Sequence, residues 1–200
     1  MILTAPIGYL LGSLPTADWL ARIAGINLRS SGTGNPGAAN ALGQGGRWLG
    51  VAVLLADIAK GLAAVLIGWA IAGQGAGLAA GLAAIAGQIY NPWYHFQGGK
   101  GLGVSVGATL AAWPLGLTIT VPLIALLAKL LGAAWGAILA LTAYLLLAIM
   151  WAALGLETLW GVPPDDRLVW FAIGLVGLTM PKFISDARSE SGTESVGADA

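Results

Sequence analysis

The sequence predicts an all-α integral membrane protein, a bundle of seven transmembrane helices with the N-terminus out and the C-terminus in. Three observations lead there. Of 200 residues, 58% are hydrophobic and only 9% charged. Apolar runs of about 18 residues or more recur along the chain, and Lys and Arg gather on alternate loops. A soluble domain carries about a quarter charged residues, so this chain lacks the polar side chains needed to cover a globule in water. Lipid offers no partner for a free backbone N–H or C=O, which leaves helices or closed barrels. The Gly/Ala/Leu texture has none of the alternation of a barrel strand.

Spans are expected near 2–23, 47–72, 76–94, 101–113, 114–131, 133–155 and 167–182. The first opens on "MILTAPIGYLLGSLP", which has no Lys/Arg-rich start and no convincing small-x-small cleavage site, so it reads as a retained span. Residues 101–113 are short for a span, and "PLGL" after them breaks the helical run, which separates them from 114–131. With this count and the N-terminus out, Arg22, Arg29, Arg47, Lys100, Lys129, Lys182 and Arg188 all fall inside. Only Arg167 falls outside, beside Glu157, Asp165 and Asp166, as the positive-inside rule requires. Fusing 101–131 into one span would put Lys129, Lys182 and Arg188 outside. Residues 1–184 then form the transmembrane domain. "SDARSESGTESVGADA", residues 185–200, has almost no large apolar side chain and reads as a disordered polar cytoplasmic tail.

Composition also bounds the chemistry. There is no cysteine and one histidine, His95, so thiolate or multi-histidine metal sites are not expected, nor is a cysteine nucleophile. Nine Lys plus Arg balance nine Asp plus Glu, leaving no basic excess for nucleic acid to recognise.

Two glycine-rich segments share the predicted inner face. In "SGTGNPGAANALG", residues 31–43, Gly32, Gly34 and Gly37 have dinucleotide-turn spacing, but the stretch follows a transmembrane helix rather than a strand, and no acidic ribose partner comes after it. "QGGKG", residues 97–101, is no Walker A loop, since no glycine lies five residues before Gly99 and no Ser/Thr follows Lys100. Glycine-rich turns expose consecutive N–H groups that cradle phosphate, and a helix start adds its dipole. Lys100, Arg29 and Arg47 supply countercharge. A charge within a span costs several kcal/mol and marks a bundle-facing role or a structural ion pair. Asp57 and Lys60 in "LLADIAKGL" stand i and i+3 on one helical face, and Asp18 is placed to join them.

These residues resemble the bacterial PlsY-type membrane acyltransferases. "GYLLGSLPTADWLARIAGINLRSSGTGNPGAANALG" is similar to the family pattern G-S-[IL]-P-T followed by D-[IL]-R-x-x-G-S-G-N-x-G-A-T-N. "LLADIAKG" is similar to its D-x-x-K-G, and "GQIYNPWYHFQGGKG" to its G-H-x-x-P-x-x-x-x-F-x-G-G-K-G. The resemblance covers residues 8–107 in order, and the family's seven-span, N-out architecture agrees with the charge count.

The resemblance implies transfer of an acyl group from acyl phosphate to the 1-hydroxyl of glycerol 3-phosphate. The product is lysophosphatidic acid, made at the cytoplasmic side of the bacterial inner membrane without cofactor or metal. It places Lys100, Thr33 and Gln88 at the catalytic centre, Thr33 standing where the family has Ser. Ser13, Arg29, Gly34, Asn35, Asn40, Arg47, Gly98, Gly99 and Gly101 are the implied phosphate ligands and loop formers, braced by Asp57 and Lys60. The chain departs from the pattern at Gln88, where the family has His, and at Gly43, where it has Arg, with Arg47 one turn further as a substitute. The C-terminal R-H-x-x-N-[IL]-x-R-L pattern is missing, and Lys182 and Arg188 are its only cations there. His95 reads as part of an interfacial aromatic belt beside Trp93 and Tyr94, with a catalytic imidazole as the alternative. A non-catalytic relative that binds a phosphorylated lipid or metabolite is the alternative for the whole chain; transport is weaker, because the charges gather at one face.

Overall fold

In the computed structural model, residues 3–157 and 160–198 are described, with side chains as far as residue 189. The described residues form eight α-helices and one 3-10 turn: α1 (Thr4–Ser13), α2 (Thr16–Ile23), α3 (Ala38–Ala72), α4 (Gln74–Ile89), the turn Pro92–Tyr94, α5 (Leu102–Ala112), α6 (Pro114–Leu131), α7 (Ala133–Leu154) and α8 (Asp166–Ala198). Of these, α3, α6, α7 and α8 are long and apolar enough to cross a membrane. The chain falls into two compact units, residues 1–112 and 113–200.

Two expected boundaries are corrected. The single span at 2–23 is two helices. Pro15 cannot continue a helix and disfavours helical backbone at the residue before it, so α1 stops at Ser13 and α2 begins at Thr16. Apolarity hid this break, because α2 is amphipathic: Ala17 and Ala21 are buried while Trp19 and Ile23 stand exposed. The span expected at 76–94 ends at Ile89, where Asn91 accepts the Trp93 N–H and starts the 3-10 turn with Pro92. Helix α8 runs on to Ala198, with no glycine or proline between Lys182 and Ser189; residues 199–200 lie outside the described residues. The span expected at 47–72 is the part of α3 beyond Gly46, whose φ of +76° breaks the helix.

In the first unit, α1 packs on α4, and α3 packs on α1, α4 and α5. Small residues set these distances, as in helix pairs generally when no hydrophobic drive separates lipid from protein. A Cβ on Gly12 would overlap the Ala84 carbonyl oxygen, and one on Gly8 that of Ala80, so α1 lies with its backbone against α4. Gly12→Val is expected to lower stability by about 1–3 kcal/mol by forcing the helices apart. Thermal unfolding in detergent, with the unobstructed Gly75→Ala as control, checks this; equal melting temperatures for the two variants would contradict the close-contact reading. In the second unit, α6 packs on α7 and α7 on α8. There the buried Trp113 ring lies 5.6 Å from Tyr144 and 5.7 Å from Trp151.

Candidate functional site

The first glycine-rich segment is shaped by one side chain. Asn40, buried in the first turn of α3, donates to the carbonyls of Leu28 at 2.9 Å and Ser31 at 3.0 Å. Its Oδ1 accepts the Thr33 N–H at 3.0 Å. An amide offers two donors and one acceptor group, and all are used to fold residues 28–33 back onto the helix start. The Thr33 hydroxyl accepts the Asn35 N–H at 3.4 Å, and Gly34 N–H bonds the Ser31 carbonyl.

The second segment is tied to the end of α4. The Gly98 N–H donates to the Ile89 carbonyl at 2.9 Å and the Gly99 N–H to that of Gln88 at 3.0 Å. These bonds satisfy two carbonyls that a helix C-terminus otherwise leaves open. A Cβ at Gly98 would strike the Gln88 carbonyl oxygen, and Gly101, at φ +80°, turns the chain into α5 through backbone space open chiefly to glycine.

The two segments come together around a cleft of about 220 Å³. Asn35, Gly37, Ala38 and Ala39 line one side, residues 99–103 the other, and Asp57 and Gln88 also reach it. Two helices begin here. The first helical bond of α3 runs from Ala41 to Gly37, and a corresponding bond in α5 runs from Ser105 to Gly101. The N–H groups of Ala38 and Ala39, and of Leu102 and Gly103, therefore have no acceptor within their own helices. Gly37 provides no side-chain cap. Each helix N-terminus carries roughly half a positive charge, and Lys100 stands between them in sequence and in the cleft wall. Such a surface attracts an anion, and phosphate suits it best because several oxygens can meet several N–H groups.

Beneath the cleft lies a buried polar network. Lys60 Nζ sits 2.8 Å from Asp57 Oδ1 and donates to Gln88 Oε1 at 2.7 Å, to the Leu14 carbonyl at 3.2 Å and to the Gly12 carbonyl at 3.5 Å. Gln88 Nε2 closes the ring by donating to Asp57 Oδ2 at 3.4 Å. All three residues are about 5–6% exposed. Lys60 thus neutralises a carboxylate that would otherwise repel an anion in the cleft. It also satisfies the last carbonyls of α1 and joins α1, α3 and α4. The Gln88 amide sits with its oxygen toward the ammonium and its nitrogen toward the carboxylate, the one orientation this network accepts.

The remaining candidates lie elsewhere. Ser13 is buried within α1, its hydroxyl donating to the Leu10 carbonyl at 2.9 Å, and it does not line the cleft. Arg29, expected to provide countercharge, instead donates from Nε to Asp18 Oδ2 at 3.3 Å and lies 3.3 Å above the Tyr94 ring. Asp18 therefore does not join the Asp57–Lys60 pair; Pro15 has moved it onto α2. Together with Arg22, Ile26, Asn27 and Leu28, these two line a separate cleft of about 240 Å³. Arg47 is exposed beyond the Gly46 break, and Gly43 is exposed with open space around its Cβ position. His95 is exposed in left-handed backbone, outside the cleft wall. Burial, and then the neighbouring Asp18, push the Tyr94 phenol above its usual range, so it stays protonated at ordinary pH.

Asn91 was not singled out from the sequence. It is buried and donates from Nδ2 to the Ser13 carbonyl at 2.8 Å, linking the end of α1 to the turn before the glycine segment. Its signal was the Asn-Pro pair, a common turn opener. Among the described residues no group of His, Cys, Asp and Glu is placed to hold a metal ion.

The chain matches the glycerol-3-phosphate acyltransferase family over residues 2–188. It is 48% identical over 112 residues to the glycerol-3-phosphate acyltransferase of Nitrobacter winogradskyi, a match covering 55% of this chain and 57% of that protein. With the protein of that name from Cereibacter sphaeroides it shares 41% identity over 148 residues, covering 69% of this chain and 70% of the relative. The aligned stretch thus spans somewhat over half the length of the Nitrobacter and Agrobacterium relatives, 57% of each. The fold is that of PlsY, an integral membrane glycerol 3-phosphate acyltransferase. The crystal structure of its glycerol 3-phosphate form aligns with a TM-score of 0.79 at 24% identity, over 98% of this chain and 92% of that one.

Proposed function

The chain belongs to the glycerol-3-phosphate acyltransferase family, and on that premise we propose that it transfers an acyl group from acyl phosphate to the 1-hydroxyl of glycerol 3-phosphate in the cleft between residues 35–39 and 99–103. The observation that carries this reading is the convergence of two helix N-termini and Lys100 on one cleft floored by a neutralised carboxylate. Two phosphate groups meet in the reaction, and an array of N–H donors with one cation suits that pairing. At about 220 Å³ the cleft is smaller than a drug-sized pocket, so it suits polar head groups while the acyl chain lies along lipid.

In the proposed step the glycerol oxygen attacks the acyl carbonyl, its C–O bond forms, and the bond from carbonyl carbon to phosphate oxygen breaks. The hydroxyl proton passes to the departing phosphate. Lys100 and the N–H groups of Leu102 and Gly103 hold one phosphate and those of Ala38 and Ala39 the other, which provides orientation and charge stabilisation rather than a protein base. Thr33, Gly34 and Asn40 shape the first wall; Gly98, Gly99 and Gly101 shape the second, and Gln88 keeps the floor neutral. The alternative, a relative that binds a phosphorylated lipid without transferring an acyl group, takes its support from Gly43 and from the uncharged Gln88.

We read α1 and α3 to α8 as seven crossings with the N-terminus out, which puts the cleft at the cytoplasmic face of the inner membrane. At 1.5 Å per residue α1 and α5 reach about 15 and 17 Å, and they pack on the longer α4 and α3. The amphipathic α2 lies in the interface.

Ligand-induced stabilisation tests the site. Glycerol 3-phosphate at about 100 times its Kd stabilises a folded protein by about 2.7 kcal/mol, and this gain is expected to disappear in Lys100→Ala. An equal shift in both proteins would contradict the assignment.

A further inference from the structure

Arg29 stands two residues before the first glycine segment in sequence, yet it does not line the cleft. The Leu28 carbonyl just before it and the Ser31 carbonyl two residues after it are both gripped by Asn40, so its backbone belongs to the first wall. Its guanidinium lies 3.3 Å above the Tyr94 ring and bonds Asp18 at 3.3 Å. Tyr94 belongs to the second wall: its carbonyl accepts the Gln97 N–H at 2.9 Å, one residue before Gly98. At the cleft itself the walls approach closely, since a Cβ added at Gly99 would stand 3.6 Å from both Asn35 Oδ1 and the Pro36 carbonyl oxygen.

We infer that Asp18, Arg29 and Tyr94 form a latch that holds the two glycine-rich walls in register, making Arg29 a positioning residue rather than a phosphate ligand. A planar guanidinium stacks on an aromatic face while its edge bonds a carboxylate, and an ammonium does not reproduce both contacts. Asp18 anchors the same guanidinium to α2, so three segments meet at one side chain. The consequence for activity rests on the proposed function, but the consequence for geometry does not.

The chain has no cysteine, so nitroxide labels can be placed at the exposed Ser30→Cys and Gln97→Cys alone and their dipolar coupling read in detergent. The latch predicts a well-defined separation that Tyr94→Phe preserves and that Arg29→Lys and Tyr94→Leu both broaden. An unchanged separation in Arg29→Lys and Tyr94→Leu overturns the latch, whatever the protein's activity. In the transfer assay, Tyr94→Leu is expected to raise KM for glycerol 3-phosphate about tenfold, as Arg29→Gln does, with the double variant no worse than either single one. If Arg29 bound phosphate directly, Arg29→Lys would retain most of the affinity and Tyr94→Leu would leave KM near that of the unaltered chain. Loss of transfer in every protein, with the separations behaving as described, would refute the proposed function and leave the latch standing.

Discussion

Replacing Lys100 by alanine is expected to lower kcat/KM for acyl transfer by on the order of a hundred- to a thousandfold, the scale seen when one preorganised charge-stabilising donor is removed. Lys100 stands between the glycines that turn the chain into α5, in a cleft wall that also carries the first residues of α3. Two helix N-termini together provide partial charges only, whereas the ammonium provides a whole one, and in a site partly closed to water its field is weakly screened. Lys100→Arg is expected to recover part of the rate, since charge is kept while its position changes. Steady-state kinetics on both variants checks the order; an alanine variant within a few-fold of the unaltered chain would remove Lys100 from the site.

The second large effect is on stability. Lys60→Met is expected to cost about 3–5 kcal/mol, the usual penalty for removing one member of a buried pair. The substitution strips Asp57 of its countercharge beneath the cleft and frees the Gly12, Leu14 and Gln88 oxygens that the ammonium had satisfied. The Asp57→Asn/Lys60→Met double variant removes the stranded charge and is expected to be more stable than Lys60→Met alone. Melting temperatures in detergent read both. A double variant less stable than Lys60→Met would show that the penalty comes from lost packing rather than from an unpaired carboxylate. Because Asp57 borders the cleft, Lys60→Met is also expected to weaken phosphate binding through repulsion.

Much of this was legible in the sequence because its signals are local or compositional. The span at 114–131 coincides with α6, and those at 101–113 and 133–155 match α5 and α7 to within one residue at an end. Asp57 and Lys60 pair because a helix brings i and i+3 together. The joining of residues 31–43 and 97–101 followed from the two glycine segments sharing one predicted membrane face. What stayed hidden depends on contacts across the fold. Nothing local shows that Arg29 meets Asp18 and Tyr94, since Tyr94 lies 65 positions away in sequence. Asn91 reads as a turn opener, and its bond to Ser13 becomes visible only once α1 packs on α4. The break at Pro15 was masked by the apolar run around it, and nothing before Arg47 announced that Gly46 breaks the helix ahead of it.

In the proposed reaction the cleft around Lys100 joins an acyl group to glycerol 3-phosphate. The most direct measurement is phosphate release from an acyl phosphate by the purified protein in detergent, followed as glycerol 3-phosphate is added. Release is expected to depend on glycerol 3-phosphate, to match the ester formed at the 1-hydroxyl, and to fall to background in Lys100→Ala. Release that ignores glycerol 3-phosphate, or that is equal in Lys100→Ala, would contradict the proposed reaction.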